Sequence, residues 1–109
     1  MSTQKKVVVR WDAGGLRAEP EEIKVHSRKE ELRWELVSSR RGARITAVTF
    51  DEGETGPFER IASSSDTVWQ SVGSKEYPLG QRYKYSVFVR DASGAELELD
   101  PFVVDTDKP

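Results

Sequence analysis

Apolar residues in this chain recur at every second position, and no stretch sustains the three-and-four spacing of a helix. A spacing of two sends alternate side chains to opposite sides of an extended backbone, so each run buries one face and wets the other. In Lys6 to Trp11 the shared face carries Val7, Val9 and Trp11. Ile23 and Val25 alternate with Lys24 and His26 behind Pro20, a residue that can start a strand but lacks the N–H needed inside a sheet. Leu32, Trp34 and Leu36 share a face, with Arg33 and Glu35 opposite. The polar stretch Ser38 to Gly42 reads as a turn, which makes Ile45 to Phe50 the returning arm of a hairpin. Ile45 is out of phase by one with Val48 and Phe50, and this predicts a β-bulge near Thr46 or Ala47.

From 51 to 82 the composition changes to glycine, proline and serine punctuation, so the segment reads as a long loop-rich connection. Within it Phe58 and Ile61 can plug the core, a single helical turn can form around Phe58 to Ala62, and Thr67 to Val72 forms a short strand. Beyond it, Tyr83, Tyr85, Val87 and Val89 share one face, and Lys84, Ser86, Phe88 and Arg90 the other. Asp91 to Gly94 is a turn sequence, in which Asp91 can bond its own backbone and Gly94 can take positive φ. Leu97 and Leu99 alternate with Glu96 and Glu98, Pro101 interrupts, and Phe102 to Val104 forms a last strand before a charged tail, 105–109. Seven to eight short strands with turns between them predict an all-β chain, folded as a single Greek-key β-sandwich over 1–109.

Length and composition agree with one core: 109 residues, 36% of them hydrophobic, suffice for one small domain. Seventeen basic residues against 19 acidic ones leave a net charge of −2, too little to mark nucleic acid or an acidic substrate as partner. Cysteine is absent and His26 is the only histidine, which removes thiolate ligands, cysteine nucleophiles and histidine pairs from the chemistry within reach. No run approaches the roughly 20 apolar residues that span a bilayer, and the first residues lack an apolar signal core, so a cytoplasmic protein is expected.

Glu19 to Leu36, with its proline before a strand, its charged turn and its Leu-x-Trp strand, resembles the front half of a cupredoxin domain. Ile45 to Phe50 stands where that fold has its third sequential strand. Tyr83 to Val89 resembles the late strand with paired aromatics, and Asp100 to Val104 the closing strand. The alternative is an immunoglobulin-like or fibronectin-like sandwich, which also places a Trp early and a Tyr late. The cupredoxin resemblance implies a copper site of two histidines, a cysteine and an axial methionine, mostly after the late strand. Arg90 to Leu99 offers none of these, so a metal-free version is expected, with no cofactor and no catalytic residue.

Other constellations carry plainer meanings. Asp51 to Glu54 and Asp91 to Glu96 place carboxylates on turns without the spacing of a calcium loop. The neighbouring pairs Glu21, Glu22 and Glu30, Glu31 split to opposite directions in extended chain, which is poor geometry for glycoside hydrolysis. Ser63 to Ser65 has no base beside it. Arg40, Arg41 and Arg44 form the one basic cluster, a candidate phosphate or nucleic-acid contact disfavoured by the acidic balance and by the lack of interleaved aromatics. Trp34 belongs to the core, whereas Trp11 and Trp69, the latter with Tyr77 near it, are either core plugs or platforms that stack on sugar rings. The expected function is a non-catalytic protein-interaction or scaffold domain binding another protein. A carbohydrate-binding module and a phosphate binder at the arginine turn are the alternatives.

Overall fold

Ten strands run through the computed structural model, which describes residues 3–26, 30–51, 56, 58–73 and 82–105. In chain order they are β1 (Thr3–Asp12), β2 (Gly15–Glu19), β3 (Glu22–Val25), β4 (Glu30–Ser38), β5 (Arg44–Phe50), β6 (Arg60–Ser63), β7 (Val68–Val72), β8 (Arg82–Arg90), β9 (Glu96–Leu99) and β10 (Phe102–Asp105). One sheet has the order β2-β1-β4-β7-β6 and the other β3-β10-β8-β5, with β9 also on β8. Both sheets are mixed, because β1 pairs β4 in parallel and β3 pairs β10 in parallel. The arrangement is an all-strand, two-sheet fold compatible with a β-sandwich.

The alternating faces lie where the period of two puts them. Val7, Val9, Trp11, Leu32, Trp34 and Leu36 from the first sheet are buried with Val48, Phe50, Tyr83, Tyr85, Val87 and Val89 from the second, in one continuous core. The register of β5 on β8 shifts between Ile45 and Ala47, so the expected bulge is present and lets Ile45 and Val48 both face inward. At the centre, the Trp34 indole N–H donates to the Tyr85 hydroxyl at 3.1 Å across the two sheets. The two rings meet edge to face at 5.6 Å, and Phe50 stacks on Tyr85 at 5.1 Å. Phe58, fully buried, meets Phe50 edge-on at 6.0 Å and fills the core as expected.

Four features differ from the sequence reading. β4 and β5 are not a hairpin, since the edges of β4 are occupied by β1 and β7 while β5 pairs β8 in the other sheet. A polar turn of that length serves equally well as an arch between sheets, and only the core decides which. The helical turn around Phe58 to Ala62 is instead β6, held by β7 and turning Ala62 to the face of Gln70. Gly15 to Glu19, with Leu16 its only large apolar side chain, is a strand because β1 pairs with it from Trp11↔Leu16 to Val8↔Glu19. Finally, the count exceeds eight because β6 and β2 join the eight expected segments.

The Trp34 ring lies wholly inside this core. Trp34→Ala is therefore expected to cost about 3–5 kcal/mol, the range for emptying a buried aromatic site. Trp69, half-buried, should cost less. Urea denaturation midpoints of the two variants check the order.

Candidate binding surface

The arginine turn and the Asp91 turn meet at one end of the fold. Asp91 is buried at 5% exposure, and its Oδ1 accepts hydrogen bonds from the Ser93 hydroxyl at 2.6 Å, the Ser93 N–H at 2.9 Å and the Ala95 N–H at 3.2 Å. Its Oδ2 accepts from Arg40 Nη1 at 3.2 Å. The Ser93 hydroxyl first, then these N–H groups and Arg40, hold the Asp91 carboxyl below the usual carboxylate range despite its burial. The two turns are also joined through the Ala92 N–H, which donates to the Arg41 carbonyl at 3.0 Å. Gly42 takes φ of +69°, and a Cβ there would lie 2.9 Å from the Ala92 side chain, so only glycine suits this approach.

Of the basic cluster, Arg40 is consequently structural. The Arg40 guanidinium sits 4.7 Å from the Trp11 ring centroid while it pairs Asp91. Arg44 stands opposite Arg90 in the β5–β8 register, and Arg90 turns to Glu96 at 3.4 Å. Arg41 is exposed. The cluster thus presents no convergent fork of free arginines.

Both tryptophans offered as platforms are used inwardly. Trp11 is 1% exposed, so of its two readings, core plug and sugar platform, its burial fits the first: β1 is flanked by β2 and β4, and its inner face closes on the core. The Trp11 indole N–H has no acceptor among the described residues. Trp69 is half-buried beside Trp34 on the inner face, and its indole N–H donates to the Ile45 carbonyl at 3.2 Å. Tyr77 lies outside the described residues.

What residue-by-residue reasoning missed is an open groove of about 570 Å³ on the second sheet. Thr46, Ala47, Phe88 and Leu97 supply much of its lining, with Arg90, Glu96 and Glu98 charged around them. The bulge in β5 positions Ala47 directly opposite Phe88, and the Thr46 hydroxyl donates to the Phe88 carbonyl at 3.2 Å. Leu97 keeps 43% of its surface exposed. In the sequence Phe88 was legible only as an aromatic on the polar face of β8, and one such residue does not by itself mark a site.

The outer face of the first sheet has a different character. Glu19 accepts from Arg10 at 2.9 Å and Arg17 at 3.1 Å, Arg17 also pairs Asp12, and Glu35 lies 3.6 Å from Lys6. Charge there is spent on itself.

Among the described residues no three or more His, Cys, Asp or Glu side chains gather to hold a metal ion, and no helix is long and apolar enough to cross a membrane. No protein-family model matches the chain, and no curated protein matches its sequence.

Because the Asp91 carboxyl titrates lower folded than unfolded, its contribution is present above the unfolded value and is lost as pH falls through the folded one. Asp91→Asn should lower stability at neutral pH and flatten the loss of stability on acidification. Urea midpoints of both proteins, compared at pH 7 and across the acid limb, measure that slope.

Proposed function

We propose that this is a non-catalytic protein-interaction domain of cupredoxin-like strand arrangement without a copper site. The observation that carries the reading is the groove over β5, β8 and β9: Ala47 and Phe88 stand side by side on the outer face as its apolar part, and Arg90, Glu96 and Glu98 line it on that same face. An apolar centre with a polar rim is the anatomy of a surface that excludes water on contact with another protein. The occupant proposed is a protein segment, since the rim offers both signs of charge and the floor offers hydrocarbon.

The strand pairing favours the cupredoxin-like arrangement over an immunoglobulin-like one. Immunoglobulin constant-type sheets are antiparallel, whereas two parallel pairs, β1 with β4 and β3 with β10, run through this fold. Where the resemblance implies copper ligands, Arg90 to Leu99 form the Asp91 turn and β9. The competing uses have less support: Trp69 gives its indole N–H to Ile45, and Arg40 is engaged by Asp91 and Trp11.

A photoreactive residue placed at Thr46 in the protein's own cells tests this reading. Cross-linking to a defined partner should be lost in Phe88→Lys and in Ala47→Arg, both of which alter the groove, and kept in Lys24→Ala. Cross-linking that ignores both groove variants, with folding verified by thermal melts, removes the groove as the contact.

A further inference from the structure

The chain that begins as β3 and runs back toward β2 changes sheets at Pro20. β3 pairs β10 in parallel with Glu22 beside Phe102, and carrying that register backward would set Ala18 beside Glu98 and Leu16 beside Glu96. Those residues instead pair with Val9 and Trp11 on β1. β9 has no hydrogen-bonded strand on that side, where β2 passes close to it without pairing.

Backbone alternation shows which groups are left over. The Asp91 N–H donates to the Ala95 carbonyl and the Tyr85 N–H to the Pro101 carbonyl, both at 3.1 Å, and Leu97 and Leu99 stand opposite Val89 and Val87 between them. Odd-numbered residues therefore bond β8, and even-numbered ones face the outer edge. On β10 the outward Phe102 N–H is taken by the Glu21 carbonyl at 2.9 Å. On β9 the outward N–H and C=O groups of Glu96 and Glu98 have no partner among the described residues.

We infer that this edge of β9 receives an extended, basic segment of a partner protein as an added strand. The inference rests on the protein-interaction reading and specifies the partner's chemistry. Residues opposite one another on paired strands share a face, so the added strand places alternate side chains beside Glu96 and Glu98 and the intervening ones beside Leu97 and Leu99. Lysine or arginine suits the first set and an apolar residue the second. Glu96 shares its charge with Arg90, whereas Glu98 and Asp100 have no cationic partner among the described residues. At the fork where the strand changes sheets, Glu21 and Asp100 line a notch of about 150 Å³, which continues the negative charge beyond the end of β9. A second copy of β9 would set glutamates against glutamates, which selects against self-pairing at this edge.

The test uses a short synthetic peptide alternating Lys and Val, with a Glu–Val peptide as control. The Lys–Val peptide should slow amide hydrogen exchange at Glu96 and Glu98, bind more weakly as salt rises, and outcompete the control. Glu98→Pro removes an outward N–H and no ladder bond, so it should weaken binding by about tenfold while the thermal melt stays close to that of the parent. Glu96→Lys with Glu98→Lys should reverse the preference toward the Glu–Val peptide. Equal binding of the two peptides, unchanged exchange at Glu96 and Glu98, unaltered binding in Glu98→Pro, or self-association through this edge overturns the inference. If the edge stays unprotected while Phe88→Lys still abolishes cross-linking at Thr46, the basic-strand inference falls and the groove reading stands. If the peptide protects the edge but cross-linking ignores the groove variants, the groove reading is the one that falls.

Discussion

The hydrogen bond from the Trp34 indole to the Tyr85 hydroxyl is the contact on which the two-sheet arrangement turns. Each side chain is fully buried, so an unpaired indole N–H or hydroxyl at either position would carry a desolvation cost of about 1–3 kcal/mol. The bond forms only when β4 and β8 lie across the core from each other with both aromatics turned inward. A slip of one residue in either strand would send its ring to solvent. Burial also pushes the Tyr85 phenol well above its usual range, and the hydrogen bond from Trp34 opposes that shift only in part. Phe50, stacked on Tyr85, brings β5 into the same arrangement, and the bulge in β5 gives that strand its phase.

Faces were readable from the sequence because each is a local property. Val7, Val9 and Trp11 point inward as their spacing requires, and the jump from Ile45 to Val48 locates the bulge. Partners were not readable, because pairing is decided by residues far away. Nothing between Trp34 and Phe50 states that β4 is flanked by β1 and β7, so the arch between sheets looked like a hairpin. Gly15 to Glu19 becomes a strand only because β1 supplies its hydrogen bonds. At the candidate surface, the residues with the most conspicuous chemistry, Trp11 and Arg40, are packed against each other, while Phe88 and Ala47 come together through register.

The two outer faces divide the chain's many charges differently. On the first sheet, Asp12, Arg10, Arg17 and Glu19 form a closed set of pairs, and Glu35 sits between Lys6 and Arg33. Exposed pairs of this kind add little stability, typically about 0–1 kcal/mol each. Their effect is to leave much of that sheet face covered by paired charges of both signs, which discourages stacking on other molecules. On the second sheet the apolar groove interrupts that pattern, and the carboxylates of β9 gather beside it.

The parallel pairing of β3 with β10 joins Glu22 to Phe102 and so links the third strand to the last of the described strands in one ladder. During synthesis β3 emerges early, yet its only sheet neighbour is made last, and closing so long a loop is entropically slow. Until β10 arrives, Ile23 and Val25 have no completed sheet to be buried in. The second sheet therefore closes only after translation of β10, and until then the nascent chain carries β3 without its sheet partner.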